Sequence, residues 1–275
     1  MPLTCAPVAW AAGRWPYEEW RDGRYSWVGY DEGRLAWRSV GQHPDGVEVR
    51  GTGNAETHAR WVARVFAPAP LVDASSDPVI AGIAGRATSM AALCNGSLFD
   101  GAVMSIVGQS ISLASAGITA GRLAALFHPG VELAGRRMWP LPSPGDLADA
   151  DAAFVRRSGV TGKRAEALVR LGRAFAEGEI ADHPGECVGE AAAALLALPG
   201  IGPWTVASAL LWGLGEPDAY PAGDAALLRA ARRAYGNPEM DHAALNRLAD
   251  GWRPARAVAA RLLWLDLFGP APDEG

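Results

Sequence analysis

The stretch Leu198-Pro199-Gly200-Ile201-Gly202-Pro203-Trp204-Thr205 constrains this chain more than any other. An apolar, Ala-rich run from Ala191 to Leu198 predicts a helix. The two prolines and two glycines that follow cannot continue it. Trp204 to Trp212 predicts a second helix, so residues 191–212 form a hairpin of helices. A turn with two glycines leaves bare N–H groups at the second helix's N-terminus, a ready seat for a phosphate. Pro221-Ala222-Gly223-Asp224 follows shortly, with a carboxylate at the edge of a third helical segment. A phosphate seat followed by a lone acid points to chemistry on a nucleic acid.

The rest of the chain bounds that reading. Its 275 residues, 49% hydrophobic, suffice for one large core or two or three small domains. No apolar run reaches the roughly 18–20 residues of a membrane helix. Met1–Cys5 shows no basic region leading into an apolar stretch. A cytoplasmic protein without a membrane partner is therefore expected. Cys5, Cys94 and Cys187 stand alone and argue against a disulfide framework. Three cysteines also cannot supply an iron–sulfur site held by four thiolates, and no metal site is expected.

A net charge of −5 weighs weakly against nucleic-acid binding, because phosphate contacts need Lys and Arg. The local pattern weighs the other way. Arg156, Arg157, Lys163, Arg164, Arg170 and Arg173 face only Glu166 between them, and Arg229–Arg261 is a second Arg-rich region. Solvated helix surface is the plainer reading of such charges. Of the 25 basic residues only Lys163 is a lysine. Arginine stays protonated and cannot serve as an amine nucleophile, so Schiff-base chemistry would fall to Lys163 or the terminal amine.

Residues 1–20, with Trp10, Trp15, Tyr17 and Trp20 among Pro and Gly, read as an irregular arm. Period-2 segments at Tyr25–Tyr30, Arg34–Val40 and Val47–Gly51, separated by Gly turns, read as three antiparallel strands. Ala55–Phe66 has the helical period. Pro68, Pro70 and Ser75-Ser76 place a boundary near residue 74, giving regions 1–74 and 75–275. Everything after Asp77-Pro78 reads as helical, from Val79–Leu93 to Pro254–Phe268. Proline at 78 and 254 suits a first helical turn. The tail from Pro270 reads as loose. With no alternation of strands and helices, a dinucleotide fold is excluded.

Several stretches converge on one family. They are the hairpin with Asp224, Phe99-Asp100-Gly101 through Gly108-Gln109-Ser110-Ile111-Ser112, Lys163–Leu168, and Leu262-Leu263-Trp264. Together they resemble the helix-hairpin-helix–GPD superfamily of DNA glycosylases, in particular its AlkA-type 3-methyladenine DNA glycosylase II branch. The similarity covers about residues 77–268 and is weaker before that. It implies a mainly α fold, a helical body of two subdomains flanking a cleft, plus a small N-terminal antiparallel β-sheet/α domain.

The resemblance also assigns roles. A stacked base must be extruded before its glycosidic bond can be reached. Gly200 and Gly202 would let the hairpin backbone approach a phosphate, with N–H groups near Trp204 and Thr205 aimed at it. Asp224 would stabilise the oxocarbenium-like sugar and polarise water. Asp224 also suits a helix N-cap, and the two roles are compatible. Bifunctional relatives carry a lysine nucleophile where this chain has Trp204, which implies a monofunctional enzyme without AP-lyase activity. Trp204 would wall the base pocket and Trp264 would stack on the base, an indole face favouring a cationic alkylated purine. Core packing is the plainer reading of both rings. Gln109 matches a glutamine near the extruded base, with helix capping or core hydrogen bonding as its alternative.

Two positions depart from the pattern. Ser110 replaces a bulky apolar wedge, so Ile111 or another loop would fill the vacated stack. Ser208 replaces an aromatic pocket wall and implies a wider or more polar pocket. The expected partner is double-stranded DNA with damaged bases, bound by a monomer. No cofactor is required, and the resemblance allows a monovalent cation at the hairpin carbonyls. The expected activity is excision of an alkylated purine in base excision repair. A glycosylase for hypoxanthine, uracil or an oxidised purine, and a non-catalytic binder of distorted DNA, are the alternatives.

Overall fold

Alternating apolar and polar residues over 18–51 build a four-stranded antiparallel sheet in sequential order: β1 (Glu18–Arg21), β2 (Arg24–Asp31), β3 (Arg34–His43) and β4 (Gly46–Gly51). The first two hairpins turn on Asp22-Gly23 and Glu32-Gly33, all four at positive φ, the backbone that matches strand twist. This computed structural model describes residues 1–11, 14–67, 77–88, 90–133 and 135–271. The boundary expected near residue 74 lies outside the described residues, as do residues 272–275 of the tail.

The sheet corrects the reading of the N-terminal arm. Residues 1–20 are not irregular throughout: Ala6–Trp10 is a helical turn, α1, and Glu18–Arg21 is a fourth strand. β1 has only four residues and two adjacent glutamates, so its own pattern is weak. Its pairing with β2, Glu18 opposite Trp27 and Arg21 opposite Arg24, supplies what the local sequence lacks.

Helix α2 (Ala55–Val65) covers the sheet and is closed at its N-terminus by an Asn54–Thr57 capping box. Trp61 packs between Tyr25, Trp27 and Phe66, with ring centroids 5.4–6.3 Å apart. Arg38 is buried among these rings and pairs with Asp31 at 2.6 Å.

The body is helical: α3 (Pro78–Arg86), α4 (Leu98–Gly108), α5 (Leu113–Phe127), α6 (Pro144–Asp149), α7 (Ala152–Val155), α8 (Gly162–Ala176), α9 (Val188–Ala197), α10 (Pro203–Ala209), α11 (Ala225–Ala234), α12 (His242–Asp250) and α13 (Arg256–Phe268). Asp77 caps α3 and also accepts hydrogen bonds from Tyr235 and Trp252, tying the start of the body to its far end. No single helix among the described residues is long and apolar enough to cross a membrane.

The expectation that everything after Asp77-Pro78 is helical needs correcting. Val79–Leu93 stops being helical at Arg86. Ala92–Leu93 (β6) instead pairs with Phe66–Ala67 (β5), joining sheet region and body. Val131–Leu133 (β7) and Arg136–Met138 (β8) form a further hairpin. Such pairs rest on partners distant in sequence or on a turn, not on a local period. Pro254 also precedes its helix, which begins at Arg256, where Asp218 engages the guanidinium and the N–H.

Candidate active site

Helices α9 and α10 form the expected hairpin. Ile201 is buried and anchors the turn. Gly200 has φ +94°, and a Cβ there would stand 3.0 Å from Cβ of Ala167 on α8, so conformation and packing both require glycine. Gly202 differs: it is extended, N-caps α10, and a Cβ would meet nothing within 4 Å. No side chain caps α10, and Pro203 has no N–H to offer. Among the described residues, the N–H groups of Trp204 and Thr205 have no acceptor. Beyond Ala209 the helix widens into a π-helical turn, Leu210–Leu214.

Asp224 N-caps α11, and its carboxylate is fixed from two sides. Oδ1 accepts the Leu227 N–H at 2.7 Å, and Oδ2 accepts Trp204 Nε1–H at 3.1 Å. The helix N-terminus favours its negative charge. Capping and facing the cleft are therefore served by different oxygens. Trp204 is half-buried and acts as a strut holding that oxygen.

Gln109 ends α4 and spans to the hairpin: its Nε2 donates to Thr205 Oγ1 at 2.9 Å and to Gly200 O at 3.3 Å. Arg164 donates to its main-chain carbonyl. This is the hydrogen-bonding alternative considered for Gln109, and it locks the 109–113 loop onto the hairpin. Thr205 is correspondingly turned inward and buried. Ser110, at φ +54°, and Ile111 project from that loop, and Ile111 and Leu113 are among the exposed large apolar residues of the chain.

These elements border one cavity of about 1090 Å³. Asp224, Trp204, Gln109, Ser110, Ile111, Thr205, Gly202, Ser208 and Trp264 all line it, and Gly200 does not. Trp264 is 5% exposed and stacks on Trp212, with centroids 5.5 Å apart. The guanidinium of Arg261 lies 4.4 Å over the Trp212 ring and donates to Leu211 O at 2.7 Å. Burial pushes the Arg261 pKa down to about 10. The sequence reading missed Trp212 and Arg261 as supports of Trp264.

It also missed the sheet's share of the cavity. Trp10, Trp15, Tyr17, Glu18 and Asn95 line it too. Tyr25 O–H donates to Glu18 Oε2 at 2.9 Å, and Asn95 Nδ2 donates to the Tyr17 hydroxyl at 3.1 Å. Only the alternation of Tyr17-Glu18-Glu19-Trp20 could have hinted that one glutamate points inward.

The second Arg-rich region is not one basic face. Arg253 and Arg256 are taken up by Asp218, Arg232 and Arg233 by main-chain carbonyls, and Arg261 is buried. The first region is freer. Arg156, Arg157 and Lys163 are exposed, and the first turn of α8 abuts the hairpin at Gly200. Lys163 does not line the cavity.

Residues 103–254 match the HhH-GPD superfamily base excision DNA repair protein family. The chain belongs to that superfamily. It is 32% identical over 205 residues to the probable bifunctional transcriptional activator/DNA repair enzyme AlkA of Mycobacterium tuberculosis, covering 74% of this chain and 40% of that protein. It is 33% identical over 183 residues to DNA-3-methyladenine glycosylase 2 of Escherichia coli, covering 64% and 60%. The chain thus spans less than two thirds of the length of these relatives. In structure it is similar to the 3-methyladenine DNA-glycosylase from Archaeoglobus fulgidus, with a TM-score of 0.74 at 21% identity, over 98% of this chain and 93% of that one.

Proposed function

We propose that this protein is a monofunctional DNA glycosylase of base excision repair, which extrudes an alkylated purine and hydrolyses its N-glycosidic bond. One observation carries the reading: Asp224 stands in the cleft wall with both oxygens hydrogen-bonded, next to the hairpin whose N–H groups await a phosphate. A carboxylate already oriented by Trp204 and the α11 N-terminus stabilises positive charge on the sugar with little reorganisation. Water, polarised by the same carboxylate, attacks C1′ as the base leaves. No lysine takes that part, since the only one, Lys163, is exposed and does not line the cavity.

Trp264 and Trp212, stacked on each other and both lining the cavity, offer the wall for the extruded base. Trp204 holds Asp224, and Ile111, exposed at the cleft mouth, takes the place of the missing wedge at Ser110. Lys163 and the exposed Arg156 and Arg157 add phosphate contacts. A monovalent cation there would meet the carbonyls of Leu198 and Gly200, each already accepting one N–H, and no step depends on it.

The test is base release from duplexes carrying 3-methyladenine, 7-methylguanine, hypoxanthine, uracil or 8-oxoguanine, with wild type and Asp224→Asn in parallel. Release of the methylated purines should fall about 10³-fold in the variant while duplex binding survives. No strand cleavage should accompany release. Full activity of Asp224→Asn would end the proposal. Ser208 in the cavity wall favours a second reading, a neutral lesion as the main substrate. Strong release of hypoxanthine without release of any methylated base would decide for it.

A further inference from the structure

The cavity has two carboxyl groups, and the proposed reaction uses one. Glu18 enters from β1, on the sheet side, where Trp10, Tyr17 and Asn95 also reach the cavity. It is 8% exposed. One oxygen is held by the Tyr25 hydroxyl at 2.9 Å. Among the described residues no arginine, lysine or histidine pairs with it; Arg136 goes instead to the adjacent Glu19, at 2.8 Å. A buried carboxyl at a cavity wall, with tyrosine donors but no counter-ion, remains costly to ionise unless a cation arrives there.

The remaining walls say what kind of group would arrive. Trp264 and Trp212 form an indole stack on the helical side. Leu93 and Met104 add apolar surface. Flat apolar walls with a few polar groups are the usual make-up of a site for a planar ring. Of planar rings, a purine alkylated on a ring nitrogen carries formal positive charge while still attached to its sugar. A carboxylate is the complement of that charge and of the ring's N–H donors.

We infer that Glu18 is a specificity-determining residue: its carboxyl receives the positively charged, donor-bearing edge of an extruded alkylated purine, while Asp224 acts on the sugar. This rests on the reading of the cleft as a base pocket. Burial opposes the charged form of Glu18 and outweighs the hydrogen bonds from Tyr25 and Tyr17, pushing its pKa up to about 7. A cation in contact would reverse that bias. The residue thus discriminates by charge: a neutral base gains little from it.

The inference is tested by binding as well as turnover, so that it stands apart from the role of Asp224. Duplexes carrying 7-methylguanine or hypoxanthine on a 2′-fluorinated sugar keep their base, because the fluorine destabilises the oxocarbenium ion. Their affinities are measured for wild type and Glu18→Gln, with a thermal melt of each. Loss of one charge-assisted hydrogen bond should weaken binding of the cationic duplex about tenfold. Binding of the hypoxanthine duplex should change less than about twofold. Equal loss on both duplexes, or no preference of wild type for the cationic one, overturns the inference. If Glu18→Gln fails to fold, Glu18→Asp, which withdraws the charge by one methylene, carries the same comparison. A wild type that binds the cationic duplex selectively yet releases no base would refute the proposed hydrolysis and leave Glu18 as the reader of charge.

Discussion

The two sides of the cleft reach burial by different means. The helical side is packed from alanine, leucine and valine, with α4 so close to the π-helical turn after α10 that a Cβ on Gly101 would lie 2.6 Å from Gly213 Cα. Its one buried cation, Arg261, has a carbonyl and an indole face rather than an acid. The sheet side is packed from aromatic rings and holds buried charge in pairs and networks: Arg38 with Asp31, and Glu18 with two tyrosines. Desolvation pushes Asp31 up, but hydrogen bonds from Arg64 and Arg38 outweigh it and hold Asp31 below the usual carboxylate range. Dense apolar packing sets the position of the hairpin, Asp224 and Trp264. Polar burial on the sheet side sets what meets them across the cavity.

The difference breaks most visibly at the two buried arginines. Arg38→Met would remove a charged hydrogen bond to half-buried Asp31, which keeps Arg64, together with the stacking of Arg38 on Trp27 and Trp61, and should cost roughly 3 kcal/mol. Arg261→Met removes a cation that has no acid partner, and should be neutral or stabilising within about 1 kcal/mol. Urea denaturation of both variants measures this. Equal costs would mean that the sheet side has no special dependence on paired charge.

A smaller effect sharpens the comparison within the sheet. The carboxyl of Glu18 titrates at about 7 in the folded protein, against 4.5 ordinarily. Between those values the folded state binds more protons than the unfolded one, so stability falls as pH rises from 4.5 to 7 and stays low above. Glu18→Gln keeps an acceptor for Tyr25 and removes the penalty. It should stabilise the protein by roughly 2–3 kcal/mol at pH 8 and by little at pH 4.5. Asp100, pushed up to about 8 by burial and by Asp182, contributes a slope of the same sign that remains in the variant. A variant with unchanged stability at pH 8 would show that water reaches Glu18 freely.

The same contrast explains what could be read from the sequence. Helices α8, α9 and α11 and the cap at Asp224 follow from local rules of period and capping, which act within one or two turns. The hairpin was visible because its two glycines and two prolines have few other uses together. Strand β1 and the β5–β6 pair were not visible, because their hydrogen bonds come from partners far along the chain. Trp264 was singled out by the resemblance, yet its supports, Trp212 and Arg261, depend on which face of two helices meets the other. Glu18 and Glu19 are chemically identical neighbours; the pleat sends one into the cavity and the other to Arg136. The arginines of the 229–261 region show the converse error. Charge counted along a sequence cannot distinguish a free cation from one held by Asp218 or by a carbonyl.

The smallest expected effect tests the hairpin itself, through its two glycines. Gly200→Ala would force a side chain into positive φ and against Ala167, so its effect on DNA binding would be mixed with a loss of stability. Gly202→Ala has neither problem: the backbone there is extended and the space around the new methyl is open. As an N-cap, alanine is poorer than glycine, so stability should drop by no more than about 1 kcal/mol. If a phosphate sits on the N–H groups of Trp204 and Thr205, that methyl intrudes on its approach. Affinity for an abasic-site duplex should then fall severalfold, on the order of 1 kcal/mol, with the salt dependence of binding nearly unchanged, since no cationic side chain has been lost. Unaltered affinity would remove the hairpin turn from the DNA contact. The load of gripping the backbone would then rest on Lys163, Arg156 and Arg157, and a drop in salt slope on replacing them would be the sign of it.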